Sequence, residues 1–272
     1  MPATDRLRQA LDRGPVLLDA AMGTRLIARG LDIDRDDPAL WTVDRPEAVL
    51  DVHRLDIEAG ADALLTNTFG ANANWLSRFG RGDEPAAINR RAAALARRAG
   101  GPDRPVIGSI GPITADHPEA LLEQARALAE GGTDALILET HRLEQAVGSL
   151  RRLGGLRLPV LVSLFAWTEP IGDIARSLIA EGAFAIGANC QTGMAPALAL
   201  ARRLRAVTDH PLILKPSAGV PTFPLDPPEV FEAAVPELLA LGVGLIGGCC
   251  GTTEAHVAAM RRAIPADRAP WR

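Results

Sequence analysis

The stretch EGGTDALILE, residues 130–139, holds a whole structural joint in ten letters. Glu130 ends a helical run, Gly131-Gly132 stop it, and Ala135–Leu138 is an unbroken apolar run of the length of one buried strand. The same shape recurs as EAGADALLT (58–66), EGAFAIGAN (181–189) and ALGVGLIGG (240–248). Each reads as helix end, glycine, one or two residues, then strand. A joint repeated in this way belongs to a chain that alternates helices and strands.

Working outward, strands are expected at 16–19, 62–66, 105–110, 134–139, 159–165, 184–189, 211–215 and 243–248. They are nearly continuous in apolar residues, as parallel strands covered on both faces should be. Between them lie alanine- and arginine-rich helical stretches with readable ends. Asp44-Arg45-Pro46-Glu47 supplies an N-cap and an early proline for a helix that Gly60 closes, and another helix spans Pro118 to Glu130. Eight strand–helix units over about 250 residues predict the α/β class and a single (β/α)8 TIM-type barrel. The barrel is expected to take in residues 1–272 as one domain, with residues 1–14 as a short helix leading into it. A doubly wound open sheet is the competing arrangement, but no G-x-G-x-x-G follows an early strand.

Composition narrows the function classes. Of the 272 residues, 47% are hydrophobic, enough for an extensive core without disulfide staples. Net charge is −4, and the arginine pairs at 90–91, 97–98, 151–152 and 202–203 fall on expected helices as solvated faces. That pattern argues against nucleic-acid binding. No apolar run approaches a membrane span, and the N-terminal stretch is charged too evenly for a secretory signal. Three cysteines cannot pair completely, so a reducing cytoplasmic setting is expected.

In a barrel, residues at the C-terminal strand ends face the active site. In chain order these are Asp19; Thr66, Asn67 and Thr68; Gly108 to Gly111; Glu139 and Thr140; Ser163; Asn189 and Cys190; Lys215; and Cys249 with Cys250. All three cysteines therefore land on one rim. Adjacent Cys249 and Cys250 can aim both sulfurs inward only through a sharp turn, which the flanking glycines of GGCCGTT (247–253) permit. Three thiolates form a ligand set for a soft or borderline cation, with Zn²⁺ expected and a fourth position open for substrate. So electron-rich a set is a poor activator of water, but it keeps a bound substrate thiol deprotonated and nucleophilic. Alkyl or methyl transfer to a thiol is the expected chemistry. The plainer readings are a buried structural cysteine or a vicinal disulfide.

Asp19 and Glu139 end buried strands, either as acceptors for a substrate ammonium or as partners of a neighbouring Arg or Lys215. Asn67, with Thr66, Thr68 and Asn72, is placed to orient the carboxylates or the substrate, or simply to cap strand ends. His141 is a candidate fourth ligand or base, against an ordinary place capping the next helix or facing solvent. His53, His117, His210 and His256 fall away from the rim. KPSAGVP (215–221) reads as a rigid loop turning at Gly219 and walling the pocket.

LLDAAMGT (17–24), TNTFGAN (66–72), LILET (136–140), GANC (187–190), KPSAGVP and GGCCGTT stand in the order found in the homocysteine S-methyltransferase family. The sequence resembles that family from about Pro15 to Ile264, above all the homocysteine-binding module of cobalamin-dependent methionine synthase. The resemblance implies Zn²⁺ held by Cys190, Cys249 and Cys250, with homocysteine sulfur as the incoming ligand and methionine as product. It also implies that Asp19 and Glu139 hold the substrate amino group, and that the backbone of Ala20, Met22, Gly23 and Thr24 lies against its amino-acid end. Homocysteine or a similar small thiol is then the acceptor. The donor is left open among a methylcorrinoid protein, S-methylmethionine, S-adenosylmethionine and a betaine-like compound. Other small thiols or selenols, or a thiol-binding module active only when docked to a separate methylcorrinoid protein, are the alternatives. Departures from the family pattern are Ala20 where Gly is usual, shortened segments at 108–124 and 165–182, and the lack of any tyrosine. The shortened segments and missing tyrosines predict a more open mouth, while the added methyl group of Ala20 is expected to narrow the pocket or favour a different thiol.

Overall fold

A helix hands the chain to a short buried strand eight times over, with a glycine in every joint but the one before the seventh strand, where residues 206–211 hold none. The structure, a computed structural model, describes residues 5–113, 118–220, 223–224 and 226–266. The strands are β1 (Val16–Leu17), β2 (Leu64–Leu65), β3 (Val106–Ile110), β4 (Ala135–His141), β5 (Val160–Leu164), β6 (Ala185–Thr192), β7 (Leu212–Ser217) and β8 (Val243–Ile246). They pair in parallel in the order β1-β8-β7-β6-β5-β4-β3-β2. β1 and β2 form no ladder. Their seam is closed by the Leu17 carbonyl, which accepts from the Asp62 and Ala63 amides at 2.7 and 3.2 Å, and by the Leu65 amide, which donates to Asp19 Oδ2 at 2.8 Å. With helices between the strands, the expected (β/α)8 fold results.

Period-two alternation sorts the strand side chains. Val16, Leu65, Ile107, Ile137, Leu161, Ala185, Ile213 and Leu245 fill the barrel interior, joined at its base by Leu7 and Leu11 of the helix Asp5–Asp12. The intervening Leu136, Leu138, Val162, Ile186, Leu212, Leu214 and Ile246 pack outward against the helices. Continuing the interior face toward the strand C-termini brings up Ser109, Glu139, Ser163, Asn189 and Lys215, all buried. The interior thus changes from apolar to polar along the strand direction, and that change places the site.

Several local expectations are revised. The connection after β1 carries short helices at Met22–Ile27, Pro38–Leu40 and Trp41–Asp44. Asp44 ends the last of these, so Arg45, without a side-chain bond, is the N-cap of Pro46–Glu58. Gly219 lies in a two-stranded antiparallel ribbon (219–220 with 223–224) rather than at a turn. Residues 1–4 of the expected N-terminal helix, His117 and Pro221 lie outside the described residues. No helix among the described residues is long and apolar enough to cross a membrane.

At the base, the fully buried Asp134 ties three elements together. It accepts from Arg6 at 2.7 Å, from Arg97 at 2.5 Å and from the Val106 amide at 2.8 Å. Replacing it leaves a buried amide without its acceptor and two guanidinium groups without their counter-charge. Asp134→Ala is expected to cost about 2–3 kcal/mol, the scale of hydrogen bonds to charged groups, read as a lowered urea midpoint with an unchanged slope.

Candidate functional site

The polar end of the barrel is shaped by two irregularities in neighbouring strands. Pairing shifts register between Glu139 and His141 in β4 and between Asn189 and Thr192 in β6. At these points Thr140 (φ 62°) and Cys190 (φ 55°) take left-handed backbone, the two non-glycine residues among those described that do so. Each such conformation costs on the order of 1–3 kcal/mol and lasts only where its surroundings lock it. Here the lock is visible: Asn189 Oδ1 accepts from the Thr140 amide at 2.9 Å, and Asn189 Nδ2 donates to Thr140 Oγ1 at 2.8 Å.

The other two cysteines follow β8 in a turn held from several sides. The Cys249 amide donates to the Pro216 carbonyl at 2.9 Å, and the Cys250 carbonyl accepts from Ala218 at 2.9 Å. Thr252 Oγ1 donates to the Cys249 carbonyl at 2.7 Å. The flanking glycines serve separate needs. Gly251 has φ +80°, while a Cβ on Gly248 would come within 2.2 Å of Thr252 Oγ1. As a result the Cys190 Sγ lies 2.8 Å from Cys249 Sγ and 3.9 Å from Cys250 Sγ. All three sulfurs fall within 4.8 Å of one another, positioned to bind a metal ion.

Among the described residues no histidine or carboxylate joins this cluster. His141 neither caps a helix nor faces solvent: it is buried, with Nδ1 3.0 Å from the Glu139 carbonyl, and burial lowers its pKa to about 4. The Cys249 thiol, accepting from Cys190 and Cys250 and facing Lys215, is held well below its ordinary range.

The carboxylates stand in the same cavity. Glu139 Oε1 receives Lys215 Nζ at 2.5 Å and its Oε2 receives Ser109 Oγ at 2.5 Å. Burial opposes the charge on Lys215, but Glu139, Asp19 and Cys249 outweigh it and keep the ammonium form favoured. The ion-pair reading of Glu139 is thus what the structure displays. Asp19 carries the Leu65 bond of the seam, and burial together with Asp56 pushes its pKa up to about 8.

Residues 20–24 form the adjoining wall. Buried Arg25 clasps buried Asp56 through two contacts of 2.7 Å and donates to the Ala20 and Ala21 carbonyls at 3.0 and 3.2 Å. Asp56 in turn accepts from the Ala20 amide at 3.4 Å. Thr24 Oγ1 accepts from the Gly251 amide at 3.0 Å, tying this wall to the cysteine turn. Asn67 donates to the Pro38 carbonyl at 2.6 Å and to Thr42 Oγ1 at 3.3 Å, tying the cavity wall to the short helices after β1.

A cavity of about 310 Å³ is lined by Asp19, Ala20, Met22, Gly23, Thr24, Asn67, Glu139, Cys190, Cys249 and Cys250, whereas His141, Ser163 and Asn72 do not reach it. Ser109, Thr140, Asn189, Lys215 and the half-exposed ring of Phe69 line it as well. Of the described residues of the KPSAGVP stretch only Lys215 does so. Asn189 and Lys215 are both legible as rim positions, and Lys215 also as an ion-pair partner of the carboxylates, but nothing in the sequence assigns Asn189 a task. Their signal is their place on the interior face.

A model of the homocysteine S-methyltransferase family matches residues 16–264. The chain belongs to this family. It is 33% identical over 311 residues to the methionine synthase of Mycobacterium tuberculosis, an alignment covering 98% of this chain and 26% of that protein. The chain thus spans about a quarter of the length of the curated relatives it matches. Among solved structures, it resembles the metallated form of the homocysteine methyltransferase MmuM of Escherichia coli, with TM-score 0.81 and 27% identity over 95% of this chain and 100% of that one. A methyltransferase from Methanosarcina mazei, 16% identical with TM-score 0.63 over 96% of this chain and 97% of that one, shares the fold.

The protonation of Asp19 gives a stability test. Between about pH 4 and about pH 8 the folded chain keeps a proton on Asp19 that the unfolded chain has released. Stability therefore falls as pH rises through that window. Asp19→Asn removes the penalty and keeps an acceptor for Leu65, so its melting temperature should gain on the parent's steadily from pH 4 to pH 8. Melting curves with a constant offset across that range would count against a neutral Asp19.

Proposed function

We propose that this chain transfers a methyl group to the sulfur of homocysteine, giving methionine, at a zinc site formed by Cys190, Cys249 and Cys250. The observation that carries the reading is the convergence of three thiol sulfurs within 4.8 Å on the cavity that also holds Asp19 and Glu139. Zn–S bonds of about 2.3 Å in a tetrahedron put sulfurs about 3.8 Å apart. The 3.9 Å between Cys190 and Cys250 fits that edge, and the 2.8 Å between Cys190 and Cys249 needs a small outward motion of one sulfur. Thiolates are soft donors that favour zinc over hard cations. The metallated state of the homocysteine methyltransferase MmuM supports a metal here as well. When bound, zinc would supply an open fourth position at which a substrate thiol loses its proton.

The chain's own residues hold and orient the amino acid. Each carboxylate oxygen has two acceptor sites, so Glu139 can take a substrate ammonium while keeping Lys215 and Ser109. Asp19 ionises on the approach of that ammonium, so binding releases its proton at neutral pH. The backbone of residues 20–24, stiffened by Arg25 and Asp56, faces the amino-acid end. A cavity of about 310 Å³ suits an amino acid of this size with a donor entering from the mouth. Overall an S–CH₃ bond forms as the bond between the methyl group and its donor breaks, the demethylated donor leaves with that bond's electron pair, and the thiol proton is released. The reduced thiols this needs agree with a cytoplasmic setting.

Two measurements test the proposal. Zinc analysis should give about one ion per chain, falling to little in Cys249→Ser and Cys250→Ser, as a three-thiolate site implies. A parent chain that stays metal-free with zinc supplied under reducing conditions would sink it. In homocysteine turnover, Asp19→Asn should raise KM about tenfold to a hundredfold, the scale of a lost charged hydrogen bond, with a smaller change in kcat. An unchanged KM would remove Asp19 from the substrate site.

A further inference from the structure

The Asn189 side chain touches more than Thr140. Its Nδ2 lies 3.6 Å from Cys190 Sγ and 3.8 Å from Cys249 Sγ, separations that suit the larger sulfur atom. Which end of the amide faces the sulfurs is settled by chemistry. The Thr140 backbone N–H is an obligatory donor, so the atom 2.9 Å from it must be the amide oxygen. The NH₂ group then has nowhere to point but at Thr140 Oγ1 and the two sulfurs. The residue is buried, at 2% exposure, so water does not compete for these contacts.

The surrounding backbone is distorted in keeping with this. The two left-handed non-glycine residues among those described, Thr140 and Cys190, are the two that the Asn189 side chain bridges. Regular strands at these positions would carry Thr140 and Cys190 away from the amide. The register shifts in β4 and β6 bring them to it.

We infer that Asn189, aimed by Thr140, is a positioning residue whose N–H groups hold the Cys190 and Cys249 sulfurs for metal binding and temper their donor strength. This rests on the zinc reading above. Hydrogen-bond donors beside a metal-bound sulfur draw electron density from its lone pairs, and such outer partners are worth about 10–100-fold in metal affinity or activity. The amide therefore sets a balance: donors strong enough to fix the sulfurs, yet neutral, so that the site keeps its electron-rich character.

Cobalt(II) in place of zinc reports on this directly, through its sulfur-to-metal charge-transfer absorption. Asn189→Asp keeps an oxygen for the Thr140 amide but turns a carboxylate toward the sulfurs. It should weaken cobalt binding in chelator competition by about 10–100-fold and move the charge-transfer band to lower energy. Thr140→Ala, which frees one end of the clasp and leaves Asn189 in place, should shift the band in the same direction by less. A folded Asn189→Asp chain with the parent's affinity and spectrum overturns the inference. Should that variant fail to fold, the Thr140→Ala spectrum decides: an unmoved band overturns it. A parent chain that takes up neither cobalt nor zinc is a different failure, since it removes the metal reading and this inference with it. A merely structural amide would lower the melting temperature of the variants and leave the absorption band in place.

Discussion

Where the first and second strands should pair, a side chain stands in for the ladder. The Leu65 amide donates to the Asp19 carboxylate, and the Leu17 carbonyl takes the amides of Asp62 and Ala63. Without these bonds the eight-stranded sheet would have two raw edges, and the barrel interior would open to water along one side. Closure decides what the interior face is, and the interior face decides which residues meet at the mouth. The same carboxylate that joins the wall also looks into the cavity. Its burial makes the neutral form favourable, and a neutral acid can keep accepting the Leu65 bond. The fold and the polarity of the site are therefore coupled through one residue.

Much of this was legible in the chain. Four repeated helix–glycine–strand joints and the apolar runs marked eight strands at their observed places, because parallel strands buried on both faces leave nearly unbroken apolar runs. Once strand ends were known, the cysteines of GANC and GGCCGTT had to share a rim. What escaped was local backbone geometry. The left-handed turns at Thr140 and Cys190 carry no signature, since neither residue is glycine and the strain is repaid by a side chain from elsewhere. The short helices after β1 were hidden because a loop of mixed composition has no clear period. Asn189 looked like a strand-end residue because its partners lie 49 and 60 residues away. His141 read as a capping or exposed residue, whereas the structure buries it just past the register shift in β4.

Charge in the mouth is arranged in layers. Asp19 and Glu139 flank Lys215, which also faces Cys249. One buried ammonium thus serves both the carboxylates and the thiols. That helps explain how so many acidic groups share a small space: Glu139 and Cys249 face the Lys215 ammonium, while Asp19, raised by burial and by Asp56, keeps its proton. Ser109 on Glu139 and Asn189 on the sulfurs extend the same rule with neutral groups.

The buried pair of Arg25 and Asp56 bears on how such a protein can diverge. It holds the carbonyls of Ala20 and Ala21 and the Ala20 amide, yet neither side chain lines the cavity. Losing either member would strand a charge in the interior, so the pair is close to frozen under mutation. The side chains it supports are not. Ala20 and Met22 project from a backbone that keeps its shape whatever they become, so drift in acceptor preference has a ready path there. A pocket built on an immovable ledge can change its contents without losing its outline.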